Sequence, residues 1–311
     1  YKASAMNITP LPRGIYSPVL TPFNPDLEPD TERFIGHCKW LLAEGCNGLV
    51  LFGTTSEANS LSVQERLTLT DAVVEAGIAP HRLIIGTGLS AIPESVRLTA
   101  HAAALGCAGV LMLPPFYYKG QSDEGLARAY AEVIDRVSDP RLRVYLYHIP
   151  KVSGVAVTHG VIERLLKDYE GTVVGIKDSS GDWDNTRGLL EAFPGFGVFP
   201  GSEAYMLDAM KAGAHGCITA TANIAAGALR HLYDGWQTPQ AGALQEVVSA
   251  TRLAAQSKPM IPGLKAVLAR RDGDDGWLTM RPPLMPLDKA DSAELFAALE
   301  AAGFDFPQAA A

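Results

Sequence analysis

The sequence predicts an α/β fold, a (β/α)8 TIM barrel with a C-terminal helical extension. Short apolar strands alternate with helix-length amphipathic segments from residue 14 onward, which is typical of a parallel sheet. This strand-helix unit recurs roughly every 25 to 35 residues and occurs eight times, as a closed barrel requires. A length of 311 residues accommodates one such barrel with an addition.

Strands are predicted where short apolar runs end in turn-forming residues. The predicted strands are Ile15–Leu20, Gly48–Phe52, Leu83–Thr87, Gly109–Leu113, Arg143–Tyr147, Val173–Lys177, Gly197–Pro200 and Gly216–Thr219. The helices between them are predicted near 31–44, 62–76, 93–105, 122–137, 158–168, 183–193, 203–212 and 225–235. Ser62 with Glu65 fits a capping box, and Gly106 follows a helical run where a left-handed residue is favoured.

The chain is expected to divide into a barrel over residues 14–235 and a helical extension over residues 236–311. Helices are predicted in the extension at Pro239–Gln256, in a segment that includes Gly263–Arg271, and from about Ser292. Residues 1–13 are expected to be a lead-in that starts with a cloning remnant, Tyr1–Ala5 before Met6.

Composition excludes several classes of function. A net charge of -8 without any Lys/Arg-rich run argues against a nucleic-acid partner, and no apolar run approaches the length of a membrane span. The four cysteines show no CxxC spacing, which predicts reduced, buried thiols and a cytoplasmic location. The seven histidines show no HxxH or HExxH spacing, so we expect no metal and no other cofactor.

The sixth predicted strand ends in a lysine, Lys177. Strand alternation places Val173, Gly175 and Lys177 on the face toward the barrel interior, and Val174 and Ile176 on the face toward the helices. A lysine at the carboxyl end of a barrel strand can capture a carbonyl compound as an imine. A solvated lysine at a strand end is an equally good interpretation of this segment alone.

Two other strand ends offer complementary groups. Strand two ends in Gly53-Thr54-Thr55, whose adjacent hydroxyls and amides could bind a carboxylate or simply form a turn. Strand five ends at Tyr147, which should neighbour Lys177 because one crossover joins their strands. A phenol beside an amine can shuttle protons during imine formation, although a buried core tyrosine is the alternative.

Weaker signals follow other strands. Gly201 follows strand seven and could let a ligand approach the backbone, or could serve a tight turn. The segment from Gly86 to Ala91 fits a dinucleotide-binding GxGxxG/A pattern. No acidic ribose ligand ends the next strand, which makes a dinucleotide site the less favoured interpretation.

Together these motifs resemble the dihydrodipicolinate synthase/N-acetylneuraminate lyase family of class I, Schiff-base aldolases. The resemblance implies that Lys177 forms an imine with pyruvate and that Tyr147 relays protons. It implies that Thr54 and Thr55 bind the pyruvate carboxylate, and that two further residues, Gly201 and Ile218, line the pyruvate end. Tyr117 matches an interface tyrosine that completes a proton relay across a dimer, with Tyr118 as the alternative, and the resemblance implies a homotetramer built as a dimer of dimers.

Some positions depart from the family pattern. Ser56 replaces a usual glycine, and His148 replaces a common asparagine. Val152 stands where dihydrodipicolinate synthases have an arginine for the carboxylate of aspartate semialdehyde, and losing such a partner costs about 1.5–3 kcal/mol. Ser153-Gly154-Val155 looks more like the lyase and sugar-acid branches. However, Ala220 replaces the serine of neuraminate lyases, and Glu203-Ala204 lacks their acidic pair.

These observations predict a pyruvate-dependent class I aldolase or lyase. It would cleave or form a 4-hydroxy-2-oxo acid or a 2-keto-3-deoxy sugar acid, with pyruvate and an aldehyde as the other partners. The alternatives are a dihydrodipicolinate synthase (4-hydroxy-tetrahydrodipicolinate synthase), a 2-keto-3-deoxy acid dehydratase and, outside enzymes, a barrel that binds a keto acid without turnover.

Overall fold

Eight parallel strands form the barrel in the computed structural model, which describes residues 10–306. They are β1 Gly14–Pro18, β2 Gly48–Leu51, β3 Leu83–Gly86, β4 Gly109–Met112, β5 Val144–His148, β6 Val173–Asp178, β7 Gly197–Pro200 and β8 Gly216–Ile218. The hydrogen-bonded order is β7-β6-β5-β4-β3-β2-β1-β8. Across the remaining seam the His215 N–H donates to the Val198 carbonyl at 3.0 Å. The predicted TIM barrel is confirmed.

Twelve α-helices lie within the described residues. They are α1 Thr31–Ala43, α2 Val63–Glu75, α3 Ile92–Leu105, α4 Asp123–Val137, α5 Pro150–Ser153, α6 His159–Tyr169, α7 Trp183–Ala192, α8 Met206–Lys211, α9 Ala222–Gly235, α10 Ala241–Ala255, α11 Met260–Asp272 and α12 Lys289–Ala301. The predicted capping box is present, since the Glu65 N–H donates to Ser62 Oγ at 3.1 Å and the Ser62 N–H to Glu65 Oε2 at 2.7 Å. Gly106 has a φ of +77° and ends α3 as predicted.

Strand alternation fails in the first half of β6, which corrects two predicted positions. Val173 pairs with Val144 but Gly175 pairs with Tyr145, so β6 carries one extra residue, a β-bulge. As a result Val173 packs in the helix-facing core and Val174 in the barrel interior, the reverse of the prediction. The predicted faces are correct beyond the bulge, where Ile176 packs toward the helices.

The barrel interior is filled by side chains rather than hollow, as is usual for this fold. Gly175 faces this interior, where an added Cβ would lie 2.6 Å from the Tyr145 ring and 2.3 Å from the Gly197 carbonyl oxygen. The side chains of the interior are those of Tyr16, Val50, Ile84, Leu111, Tyr145, Tyr147, Val174, Phe199 and Ile218. These side chains fill the barrel beneath the carboxyl ends of its strands. A substrate can therefore bind only at those ends.

The helices predicted for the C-terminal extension are present as α10, α11 and α12. Their apolar side chains, including Leu268, Trp277 and Leu295, form one cluster with Leu20 and Ile224 from the barrel. The division of the chain into two parts at residue 235 stays a prediction. In the structure this apolar cluster contains residues from both sides of that position. Most of the predicted N-terminal remnant and lead-in, residues 1–9, lies outside the described residues.

The composition also predicts reduced, buried thiols and no membrane span. Cys38, Cys46 and Cys217 are buried free thiols, and Cys107 is a half-buried one. None of the helices in residues 10–306 combines the length and apolarity needed to cross a bilayer.

Candidate active site

Lys177 and Tyr147 lie side by side at the carboxyl ends of β6 and β5. The two residues are direct partners in the strand register. Lys177 Nζ donates to Tyr147 Oη at 3.3 Å and lies 4.6 Å from the centre of the tyrosine ring. Both side chains are buried, with 4% and 3% exposure. An amine and a phenol are thus held within proton-transfer distance, away from bulk solvent.

Thr54 extends this contact across the mouth of the barrel. Thr54 Oγ1 lies 3.2 Å from Tyr147 Oη, so lysine, tyrosine and threonine form one hydrogen-bonded series. The turn that carries Thr54 and the buried Thr55 is fixed, since Thr21 Oγ1 donates to the Ser56 carbonyl at 2.7 Å. The structure therefore brings Thr54, Tyr147 and Lys177 together from three different strand ends.

Two further predicted site residues lie at the ends of the last two strands: Gly201 follows β7, and Ile218 is the last residue of β8. The Gly201 N–H donates to the Asp178 carbonyl at 2.7 Å, and an added Cβ would lie 2.2 Å from Ser179 Oγ. An added side chain at this position would therefore force Ser179, in the turn after β6, to move. Ile218 ends β8 and is buried in the same interior cluster as Tyr147.

Comparisons with known proteins place this chain in a family. The model of the dihydrodipicolinate synthetase family matches residues 11–302, nearly the whole chain. The chain belongs to the dihydrodipicolinate synthetase family. A relative from Chloroflexus aurantiacus, called an uncharacterized DapA-like lyase, is 36% identical over 291 residues, which are 93% of this chain and 96% of the relative.

Solved structures of the family share the fold. Dihydrodipicolinate synthase from Agrobacterium tumefaciens has a TM-score of 0.86 at 28% identity, over 93% of this chain and 98% of that one. YagE from E. coli K12, solved in complex with pyruvate, has a TM-score of 0.84 at 26% identity, over 94% and 99% of the two chains. The resemblance predicted from the motifs is confirmed, and the chain is a class I, aldolase-type lyase.

The predicted family tyrosine Tyr117 is exposed in the single chain, whereas Lys177 is buried. Tyr117 lies in the loop after β4 and is 73% exposed, beside Tyr118 at 68% exposure. The two rings pack edge to face at 5.3 Å, and the Tyr117 N–H donates to Ser90 Oγ at 3.3 Å. Its role in a relay stays a prediction.

Asp178 and His148 hold the segments around the site and were not predicted to do so. Asp178 Oδ2 accepts hydrogen bonds from Asn185 Nδ2 at 2.9 Å and Thr186 Oγ1 at 2.6 Å, which anchors the turn after β6 to α7. His148 Nδ1 accepts the Val157 N–H at 3.0 Å. Burial lowers the pKa of His148 although Asp178 lies nearby, so the imidazole is neutral and available as an acceptor.

Two buried carboxylates, Glu203 and Glu57, have structural roles that were not predicted from the sequence. Glu203, after β7, accepts hydrogen bonds from Thr219 Oγ1 at 2.5 Å and from Thr221 Oγ1, and Arg252 Nη1 of α10 lies 3.4 Å away. Glu57, after the threonine pair, forms a buried ion pair with Lys265 of α11 at 2.5 Å. Their partners are far away in sequence, so no local pattern could have indicated them.

The glycines of the dinucleotide-like pattern have a packing role. An added Cβ at Gly86 would lie 1.9 Å from the Phe52 carbonyl oxygen, and one at Gly88 would lie 2.1 Å from the Leu113 nitrogen. Glycine is therefore needed for close approach of neighbouring strand ends. Within the described part of the chain, no three His, Cys, Asp or Glu side chains are grouped to hold a metal ion.

Proposed function

We propose that the chain binds pyruvate as an imine of Lys177 and cleaves or forms a 4-hydroxy-2-oxo acid or a 2-keto-3-deoxy sugar acid. The observation that carries this proposal is the hydrogen-bonded series from Lys177 Nζ through Tyr147 Oη to Thr54 Oγ1. The same fold in YagE, solved with pyruvate, supports the choice of keto acid.

The proposed reaction begins when the Lys177 nitrogen attacks the keto carbon of the substrate. The carbinolamine loses water, and the Tyr147 hydroxyl carries the proton between nitrogen and departing oxygen. The departing oxygen leaves as water with the Tyr147 proton, and the Tyr147 phenolate then takes the proton of the 4-hydroxyl. At the same time the iminium accepts the electron pair of the carbon-carbon bond, which releases an aldehyde and leaves an enamine. Tyr147 returns the proton to the enamine carbon, and addition of water to the iminium formed then releases pyruvate and restores the amine.

Thr54 and Thr55 are proposed to fix the carboxylate of the keto acid, with Gly201 and Ile218 lining the same end. Thr54 is supported by its contact with Tyr147, since a carboxylate bound there would lie next to the reacting carbon. Backbone amides of the turn can add neutral donors, which bind an anion without placing a second cation beside the lysine.

The residue at the position where the synthases bind their aldehyde substrate favours a lyase over a dihydrodipicolinate synthase. Val152 lies in α5 and is 65% exposed at the position where the synthases carry an arginine. An apolar side chain cannot pair with the carboxylate of aspartate semialdehyde, which weakens binding roughly tenfold to a hundredfold. We therefore propose an uncharged aldehyde, such as one released from a sugar acid.

Trapping with borohydride tests the imine. The protein is incubated with pyruvate and borohydride. Its intact mass is then measured by mass spectrometry, and peptide mapping identifies the modified residue. We expect one reduced pyruvyl adduct on Lys177, its absence in Lys177→Met, and its retention in Lys39→Met, which alters an exposed lysine. An adduct on another lysine, or none, would overturn the proposal.

Product assays separate the related activities. Aldehyde and pyruvate released from keto-deoxy acids support the lyase. Consumption of aspartate semialdehyde with pyruvate would indicate the synthase, and loss of water without an aldehyde would indicate the dehydratase. Binding of pyruvate with no product would leave a keto-acid-binding barrel.

The assembly is proposed to be a homotetramer, a dimer of dimers in which Tyr117 packs at an interface. The support is the exposure of the adjacent Tyr117 and Tyr118 rings in the single chain. Light scattering should give four times the 33.1 kDa chain mass. A monomer with full activity would contradict this arrangement.

A further inference from the structure

The seam between β7 and β8 is not closed by a strand ladder. In residues 10–306, all other neighbouring strands of the barrel are joined by ladders. At the amino end of the seam the His215 N–H donates to the Val198 carbonyl at 3.0 Å. Toward the carboxyl end, the Pro200 carbonyl accepts a hydrogen bond from the Cys217 thiol at 3.2 Å. Side chains therefore join the two strands at the end of the barrel where the substrate is proposed to bind.

Glu203 bridges the segments that follow these two strands. It lies three residues after the end of β7 and is 1% exposed. One carboxylate oxygen accepts a hydrogen bond from Thr219 Oγ1 at 2.5 Å, and the other accepts one from Thr221 Oγ1. Thr219 directly follows β8, so these hydroxyls reach across the seam. Hydrogen bonds to a carboxylate are about twice as strong as neutral ones, and a buried carboxylate that loses them is destabilising.

Helix α10 of the extension holds the same carboxylate from outside the barrel. Gln245, Ser249 and Arg252 lie on one face of this helix, because they are spaced four and three residues apart. Arg252 Nη1 lies 3.4 Å from Glu203 Oε2 and 3.2 Å from Thr219 Oγ1. Gln245 Nε2 donates to the Glu203 carbonyl at 2.8 Å. The buried carboxylate is thus paired with a cation, and its backbone is fixed by the same helix.

Two residues predicted for the keto-acid end flank this bridge. Gly201 lies two residues before Glu203, and Ile218 directly precedes Thr219. A shift of either strand end at the seam would therefore move the wall against which the keto acid is proposed to lie. The amine and the phenol of the site lie on β6 and β5, which are joined by their own ladder and would stay in contact.

We propose that Glu203 is a positioning residue, which closes the β7–β8 seam and thereby fixes the wall of the keto-acid end. Through Arg252, helix α10 contributes to the same closure. The closure itself is argued from the contacts of Glu203, whereas its effect on the keto acid rests on the proposed imine at Lys177. Loss of the carboxylate should weaken binding of the keto acid but still allow the imine to form at saturating concentration.

Cys217 reports whether the seam is closed, because its buried thiol donates across it. The native protein is treated with N-ethylmaleimide for increasing times, and peptide mass spectrometry quantifies each modified cysteine. We expect Cys217 to react at least about tenfold faster in Glu203→Ala than in the wild type. The control variant Glu246→Gln, which alters an exposed glutamate of α10, should react at the wild-type rate.

Two other buried thiols distinguish a local opening from a general loosening of the fold. Cys38 and Cys46 lie away from the seam, in α1 and before β2, and should keep their wild-type rates in Glu203→Ala. An unchanged rate at Cys217 would overturn the closure. An equal rise at all three thiols would overturn it as well, because the effect would then not be specific to the seam.

Two milder variants cover the case in which Glu203→Ala does not fold. Glu203→Gln keeps one acceptor oxygen for a threonine hydroxyl, and Arg252→Gln removes the guanidinium but leaves both hydroxyl contacts. In each variant Cys217 should react at least about threefold faster than in the wild type. Wild-type rates in both variants would overturn the closure.

Trapping with pyruvate and borohydride tests the effect on the keto acid. The pyruvate concentration that gives half-maximal adduct on Lys177 should be at least about tenfold higher in Glu203→Ala, with an unchanged maximal adduct. Glu203→Gln should lie between this variant and the wild type. A lower maximal adduct with an unchanged half-maximal concentration would indicate a merely structural role and overturn the positioning role. No adduct in the wild type would overturn the proposed function together with this role, whereas the labelling of Cys217 would still decide whether Glu203 closes the seam.

Discussion

At the residue scale, Tyr147 is the group that joins the two ends of the proposed site. Its Oη lies 3.3 Å from Lys177 Nζ and 3.2 Å from Thr54 Oγ1. Its ring also lies under the amine, at 4.6 Å from Nζ to the centroid. Removing the oxygen therefore removes a proton carrier but leaves the packing of the ring.

Tyr147→Phe should lower kcat by about two to four orders of magnitude, the usual size of a lost general acid-base group. The melting temperature should stay close to that of the wild type because the ring is retained. Steady-state kinetics on the keto-deoxy acid identified by the product assays checks the first effect and calorimetry the second. Tyr145→Phe is the matched control, since Tyr145 is also buried on β5 but its Oη has no hydrogen-bond partner in residues 10–306. Equal loss in both variants would contradict the proposed role.

Residues that share a strand end were predictable, and residues paired across the chain were not. Lys177 and Tyr147 follow from strand alternation and one crossover, because adjacent parallel strands align their ends. Glu57 and Lys265 are 208 residues apart, and their pairing depends on how α11 docks on the barrel.

At the element scale, the strands were predicted to within two residues while two irregular features were missed. The β6 bulge puts one extra residue opposite β5, and nothing in an apolar run such as Val173-Val174 marks where a strand slips. The helix α5 has only four residues, too few for a helical period to be visible.

Helix α1 is tied to α9 by a buried histidine. His37 Nε2 lies 3.0 Å from Asn223 Oδ1, and the ring stacks on Trp40 and meets Trp277 edge to face. Burial lowers the pKa of His37 to about 3, and the nearby Arg271 adds to this effect while Asp272 opposes it. The folded protein therefore keeps His37 neutral.

Stability should fall as the pH drops from about 6.5 toward 3, because in that range the unfolded chain binds a proton that the folded chain excludes. The slope is about 1.4 kcal/mol per pH unit for one histidine. Urea unfolding from pH 7 to pH 4 should show a smaller slope in His37→Gln than in the wild type. His231→Gln changes an exposed histidine of α9 and serves as control. An unchanged slope in His37→Gln would show that other groups carry the acid sensitivity.

At the scale of the whole molecule, the extension helps to hold the turn that carries Thr54. Glu57 has a φ of +56°, an uncommon value for a residue with a side chain. Its carboxylate reaches Lys265 Nζ at 2.5 Å, and this amine also donates to the Thr279 carbonyl at 3.3 Å. Burial raises the pKa of Glu57 and lowers that of Lys265, while the opposite charge of each partner counters the shift.

Lys265→Met should destabilise the protein by about 3–5 kcal/mol, because it leaves the buried Glu57 carboxylate without its cation. The double variant Glu57→Gln with Lys265→Met should recover part of that loss, since it removes the uncompensated charge as well. Urea unfolding of both single variants and the double variant gives the coupling free energy. The exposed lysine variant Lys39→Met is the control for loss of a positive charge.

The same variants distinguish anchoring from simple stability. If the pair positions the turn, Lys265→Met should raise the KM for the keto acid at temperatures where the protein is still folded, because Thr54 and Thr55 lie directly before Glu57. Glu57→Gln should raise it less, since an amide can still accept a hydrogen bond from Lys265 Nζ. Purely additive stabilities with an unchanged KM would mean that the extension only covers the barrel and does not hold its mouth.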